Sequence, residues 1–166
     1  MALLRVITPL RAVLIFIAQL TGACLAAELI KALIPVPFAV QTTLSHGATY
    51  TQGVFTEIIC TALLIFTILM LAKEKHRATA VAPIGIGLAL FITQLAAVYS
   101  TGGSLNPARS FGPAAVDYFH SDHWVYWVGP GIGALLAVGV YKFMKFMRYE
   151  LANPGQDAYF DGFSVV

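Results

Sequence analysis

Charge is what this chain has least of. Of 166 residues only 10 are Lys or Arg and 8 are Asp or Glu, so 11% are charged while 58% are hydrophobic; an ordinary soluble domain carries about 25% charge. That scarcity, with a mean hydropathy of +0.78, excludes a soluble globular domain and implies an integral membrane protein. The surplus of positive charge is a net +2, and the basic residues fall at the ends of apolar runs rather than on one face, which argues against a nucleic-acid partner. Cysteine is equally scarce. Cys24 and Cys60 lie inside apolar runs without C-x-x-C spacing, which implies neither a disulfide framework nor a metal site and leaves them as packing residues. The four histidines, His46, His76, His120 and His123, all lie between the apolar runs. The runs therefore hold no histidine for a nucleophile–base pair or a metal site at membrane depth, so the chain does not read as an enzyme and implies no cofactor. His120 and His123 form an H-x-x-H pair that is either a weak metal site or a solvated connector.

Long apolar runs are what the chain has in plenty. They cover about 9–34, 52–72, 81–99 and 124–147, and at ~1.5 Å per residue each is of the length needed to cross a ~30 Å hydrocarbon core. The first follows a short basic leader and stops at Ile34-Pro35-Val36-Pro37. A cleaved signal peptide is the alternative for it, but the run is too long for a typical signal core. Residues 38–51 form an uncharged polar loop, the second run stops at Lys73-Glu74-Lys75-His76-Arg77, and the third leads into a glycine-rich stretch. From Tyr149 the sequence turns polar around Asn153-Pro154-Gly155, so 148–166 reads as a flexible tail. If four spans alternate, Arg5, Arg11, Lys73, Lys75, Arg77, Lys142, Lys145 and Arg148 share one side and only Lys31 and Arg109 the other. The positive-inside rule then puts both termini in the cytoplasm.

Between the third and fourth runs lies Gly102-Gly103-Ser104-Leu105-Asn106-Pro107-Ala108-Arg109-Ser110-Phe111-Gly112-Pro113-Ala114. Two glycines free the backbone to bend, Asn106 is a favoured N-cap, and Pro107 suits the first helical position. The asparagine oxygen is expected to accept from a backbone N–H near Arg109, aiming its NH2 beyond the positive end of a short helix. A re-entrant half-helix with its N-terminus in an aqueous cavity offers fixed donors at mid-depth. A solvent loop with an ordinary capped helix is the alternative, and it leaves Arg109 and the glycines without a role. A shift of 111 residues places Gly22, Ala23, Leu25, Ala26 and Lys31 on Gly133, Ala134, Leu136, Ala137 and Lys142, and Phe16 on Trp127. The first and last spans thus read as copies running in opposite directions, each with a ladder of small residues, Ala18/Gly22/Ala26 and Gly129/Gly133/Ala137.

The thirteen-residue stretch, followed by His123-Trp124-Val125-Tyr126-Trp127-Val128-Gly129-Pro130, closely resembles the second Asn-Pro-Ala signature of the aquaporin family. The resemblance implies an aquaporin-like all-α bundle of four transmembrane helices and one half-helix within a re-entrant loop (100–117) in a domain 9–147. In it 9–34 closes the first repeat and 52–147 is the second. Two further spans and the first Asn-Pro-Ala loop have no counterpart here, so the chain reads as a truncated member. The implied activity is passive passage of water, or of glycerol or another small neutral solute, through a homo-oligomer, a tetramer in this family, in the plasma membrane. A non-conducting membrane fragment is the rival from another class.

The resemblance also assigns residues. Asn106, with Pro107 and Ala108, is the central donor; Arg109 is the cationic outer constriction; the carbonyls of about 101–104 are a ladder of free acceptors. Gln94 stands where water-selective relatives carry histidine, and Gly103 faces the constriction. Glu57 accepts N–H groups of the signature loop, whereas Ser110, Ala114, Tyr126 and Trp127 follow the water-channel pattern. Read from the residues alone, Arg109 could instead pair with Asp117 or Glu57, Glu57 could snorkel, and Gln19 and Gln94 could each bond a neighbouring helix.

Overall fold

A computed structural model describes residues 2–74 and 77–151, apart from the side chains of Arg77 and Glu150. Lys75 and His76, and the expected tail from residue 152 on, lie outside the described residues. The start of that tail is a short helical turn, Tyr149–Leu151.

Each helix begins and ends where its own sequence supplies partners for the backbone. In α1, Pro9–Leu33, the Thr8 hydroxyl accepts from the Arg11 N–H at 3.3 Å and Pro9 fills the first turn. Ile34 is already extended, as a residue before proline favours. The second span, α2, is Tyr50–Ile68 and starts before the expected Gln52. The reason is a capping box: Thr49 is the cap and Gln52 its third residue, returning a bond to the Thr49 N–H at 2.8 Å. A π-helical turn, Leu69–Lys73, continues it. Next, α3, Ala82–Thr101, ends on Gly102 in the left-handed region at φ 74°. The half-helix α4 is Pro107–Val116 and the last span α5 is Val125–Phe146. With α2 and α3 taken together with their adjoining turns, all four long elements are apolar and long enough to cross a membrane.

Glycines set the packing. A Cβ at Gly133 would lie 2.6 Å from the Ile58 carbonyl oxygen and 2.9 Å from Thr61 Cβ, and one at Gly129 would lie 2.6 Å from Glu57 Cβ. With Ala137 also buried, the Gly129/Gly133/Ala137 ladder is therefore a closed seam between α5 and α2. At Gly112 α4 lies so close to α1 that a Cβ would meet the Ala23 carbonyl oxygen at 2.5 Å. The matching ladder of α1 is different: Ala18, Gly22 and Ala26 are exposed, and nothing lies within 4 Å of a Cβ at Gly22. Phe16 and Trp127, equivalent under the 111-residue shift, meet edge to face at 6.2 Å.

Buried Cys60, Ala97 and Leu105 form a small core beneath the signature loop. At the far end of the α2–α5 seam Lys73 Nζ donates to the Tyr141 hydroxyl at 2.6 Å, which donates to Glu74, and Lys145 closes the group at 3.0 Å. Burial alone pushes the Glu74 carboxyl up. The hydrogen bonds from Tyr141 and Lys145 and the charges of Lys145 and Lys73 outweigh it and hold Glu74 below the ordinary glutamate range.

Candidate functional site

Glu57 is wholly buried, and its carboxylate organises the loop that joins α3 to α4. One oxygen accepts from the Thr101 hydroxyl at 2.7 Å and the Ser104 N–H at 2.9 Å; the other accepts from the Leu105 N–H at 2.8 Å. A snorkelling glutamate would reach solvent, and this one does not. Three residues of the loop take positive φ: Gly102 at 74°, Gly103 at 61° and Leu105 at 55°. For leucine that conformation costs about 1–2 kcal/mol, and here the buried carboxylate holds it.

The loop carbonyls are less free than expected. The Tyr126 hydroxyl donates to the Thr101 carbonyl at 2.9 Å, and the Gln94 amide donates to the Gly103 carbonyl at 3.0 Å. Two of the four expected acceptors thus already have a partner, because the loop folds back onto side chains of α3 and α5. Gln94 bonds the loop rather than a neighbouring helix, and its carboxamide occupies the space that a Cβ at Gly103 would need.

Asn106 caps α4 as its residue type requires: Oδ1 accepts from the Ala108 N–H at 3.0 Å, and the residue is exposed. Pro107 fills the first turn of α4, and Ala108 is buried. Arg109 is exposed too, and its Nη1 donates to the Val40 carbonyl at 2.8 Å. The alternative of an ion pair with Asp117 or Glu57 does not hold. Among the described residues Asp117 accepts from Gln41 at 2.7 Å, while Glu57 is occupied by the loop. Beside Arg109 lies a groove of about 480 Å³, walled by Ala26, Ile30, Ile34, Val40 and Pro113.

The four positions matched to the water-channel pattern lie behind this groove rather than on it. Ser110, Ala114 and Tyr126 are buried, and Trp127 is half-buried between Phe16 and Phe111. The polar loop before α2 is also more than a connector. Thr43 and the Leu44 N–H bond Asp122 at 3.0 and 2.5 Å, Gln41 joins Asp117 and His120, and the Ser45 N–H reaches the Ser100 carbonyl at 3.0 Å. His120 and His123 are accordingly no solvated pair. His120 bonds Gln41 at 2.7 Å, and His123 stands edge to face on Phe119 at 4.8 Å. Burial pushes the His123 imidazole below its ordinary range, His120 adding to that and Asp122 opposing it. Among the described residues no cluster of three or more His, Cys, Asp or Glu could hold a metal. Sequence reasoning missed Val40 and Thr42, the hydroxyls of Thr101 and Ser104, and the left-handed backbone of Leu105. The run of Thr and Ser in 42–45 was the available signal, since hydroxyls bond backbone locally and across loops.

A scan of protein families matches residues 1–141 to the major intrinsic protein family. Among similar proteins, a probable aquaporin-5 of Gibberella zeae is 55% identical over 158 residues, which is 95% of this chain and 29% of that protein. An aquaporin-1 of Botryotinia fuckeliana is 56% identical over 95% of this chain and 34% of its own length. For an aquaporin-1 of Laccaria bicolor the figures are 50%, 89% and 48%. The chain therefore spans from under a third to about half of the length of these relatives. With the family matched over most of its residues, and with four apolar spans, this chain belongs to the major intrinsic protein family of the aquaporins and is a multi-pass integral membrane protein.

Proposed function

We propose that Asn106, Arg109, Gln94 and Gly103 form the outer half of a passive pore for water. The observation that carries this reading is the division of the loop into two sides. Glu57 takes the loop's inward N–H groups, while the donors of Asn106 and Arg109 remain exposed. Solute then exchanges hydrogen bonds with the asparagine amide, the guanidinium and the spare lone pairs of the loop carbonyls, while Arg109 and the positive end of α4 oppose cations and protons, as is generally held for aquaporin-type pores. Membership in a family of channels rather than enzymes supports the reading.

Glycerol or another small neutral solute is the second reading. It is favoured by Gln94, whose amide is turned to the Gly103 carbonyl and offers the solute less than a histidine would. Both readings carry the family's arrangement with them: 9–34 as the closing span of a first repeat, 52–147 as a second, an oligomer, the plasma membrane, and termini in the cytoplasm. The described residues leave Asn106 and Arg109 exposed, so a further wall is needed to close the pore. In hydrocarbon, unpartnered polar groups cost several kcal/mol each.

Stopped-flow light scattering on liposomes tests this. The chain alone is expected to match empty liposomes, and a fusion to the upstream region of a relative to shrink fast. In that fusion Arg109→Val is expected to admit glycerol and leak cations. If neither changes while water flow persists, Arg109 is not at the constriction. Fast, arginine-dependent shrinkage with the chain alone would mean that copies complete one another.

A further inference from the structure

Three buried hydroxyls link the loop before α2 to the residue that caps α4. Thr42, Ser110 and Ser104 are 3%, 1% and 3% exposed. Thr42 Oγ1 lies 2.6 Å from Ser110 Oγ, Ser110 Oγ 2.6 Å from Ser104 Oγ, and Ser104 Oγ 3.0 Å from the Asn106 carbonyl oxygen. The direction of every bond follows from the last acceptor. A carbonyl only accepts, so Ser104 spends its one proton on Asn106. Ser110 must then donate to Ser104, and Thr42 must donate to Ser110. A hydroxyl has a single proton, so the chain of donors runs one way, from the loop to the cap.

The same loop holds the other exposed donor of the site, since Val40, two residues before Thr42, accepts from Arg109 at 2.8 Å. Its backbone is pressed against the glycine turn as well: a Cβ at Gly102 would lie 3.2 Å from Thr42 Cα. Further along, the loop is anchored through Thr43 and Leu44 to Asp122.

We propose that Thr42, Ser110 and Ser104 are positioning residues, forming a one-way hydroxyl chain by which the segment 40–44 sets the orientation of Asn106 and, through Val40, of Arg109. The segment is thereby part of the selectivity machinery, and Ser110 acts from behind the pore surface. This rests on Asn106 and Arg109 being the solute contacts, but its test does not require conduction.

The measurement is solid-state nuclear magnetic resonance on the full chain in lipid bilayers, reading the Asn106 side-chain amide and the Arg109 guanidinium, assigned with Asn106→Asp and Arg109→Lys. Thr42→Val keeps the shape and removes the donor. It is expected to shift both signals, and Thr42→Ser to restore them. Ser110→Ala is expected to shift Asn106 at least as far; should that variant fail to fold, the Thr42 pair decides alone. Unchanged signals in Thr42→Val, with or without a lower melting temperature, reduce the hydroxyls to packing and overturn the proposal. In the conducting fusion Ser110→Ala is expected to raise the glycerol-to-water permeability ratio several-fold. Shifted signals in a fusion that conducts nothing would leave the chain of hydroxyls standing and sink the pore.

Discussion

The first and last spans match in sequence at a shift of 111 residues and are opposites in surroundings. Over the most apolar window of each, 6% of the residues of α1 are buried and 33% of those of α5. The ladder on α5 is pressed into α2, while the residues of the one on α1 are exposed and nothing lies within 4 Å of a Cβ at Gly22. The equivalent lysines, Lys31 and Lys142, are both exposed, and Lys31 donates across to the Val116 carbonyl of α4 at 3.2 Å. A ladder of small residues is thus a capacity for close approach and becomes a seam only when a partner arrives. In α5 the partner is α2, and the same helix brings Glu57 to the loop.

The severest way to break the comparison is to remove what α2 supplies. Glu57→Ala leaves the buried N–H groups of Ser104 and Leu105 without an acceptor, while the Thr101 hydroxyl keeps the Ala97 carbonyl at 3.2 Å, and buried donors so stranded cost about 1–3 kcal/mol each. A large fall in melting temperature in nanodiscs is expected, and an unchanged melt would mean that the loop holds itself. Gly133→Leu comes next. Its side chain would enter the Ile58 backbone, and a loss of about 2–3 kcal/mol is expected from overpacking.

Acid gives a smaller effect on the same end of α5. Because burial lowers the folded-state pKa of His123, the neutral ring is the form that folding favours. The stability this contributes is present above about pH 6.5, the unfolded value, and is lost as pH falls through it toward the folded value. Melting temperature should therefore drop on acidification, and less so in His123→Phe. The equivalent position in α1 is Ala12, which has no such response. The smallest effect sharpens the comparison most: Gly22→Leu should stay within about 0.5 kcal/mol of the parent chain. The same substitution should become strongly destabilising in the fusion. If it is harmless there too, the α1 ladder is not a docking seam.

Much of this was legible in the residues. Scarce charge and four apolar runs gave the spans, and the boundaries moved by no more than two residues once the turn Leu69–Lys73 is counted with α2, whose start shifts outward to its cap, Thr49. Asn106, Pro107 and the glycines carried the half-helix, because capping is a local matter between neighbours in sequence. The remainder depended on contacts between distant residues. Nothing local marks Val40 as the acceptor for Arg109, or Leu105 as a residue held in a left-handed conformation by a carboxylate 48 positions away. The partners of two of the four loop carbonyls escaped notice for the same reason, since Tyr126 and Gln94 arrive from other helices.

The contact between Phe16 and Trp127 has a meaning beyond its 6.2 Å. We propose that these two positions, matched by the 111-residue shift, lie beside an axis that exchanges the halves of an inverted repeat, so that each aromatic ring meets its own counterpart. This is the isologous geometry of a two-fold dimer, enclosed in one polypeptide. A residue in such a place is selected twice, once for the surface it presents and once for the surface it receives. Bulk gained on one side would therefore have to be given back on the other, which ties the sizes of the two side chains together.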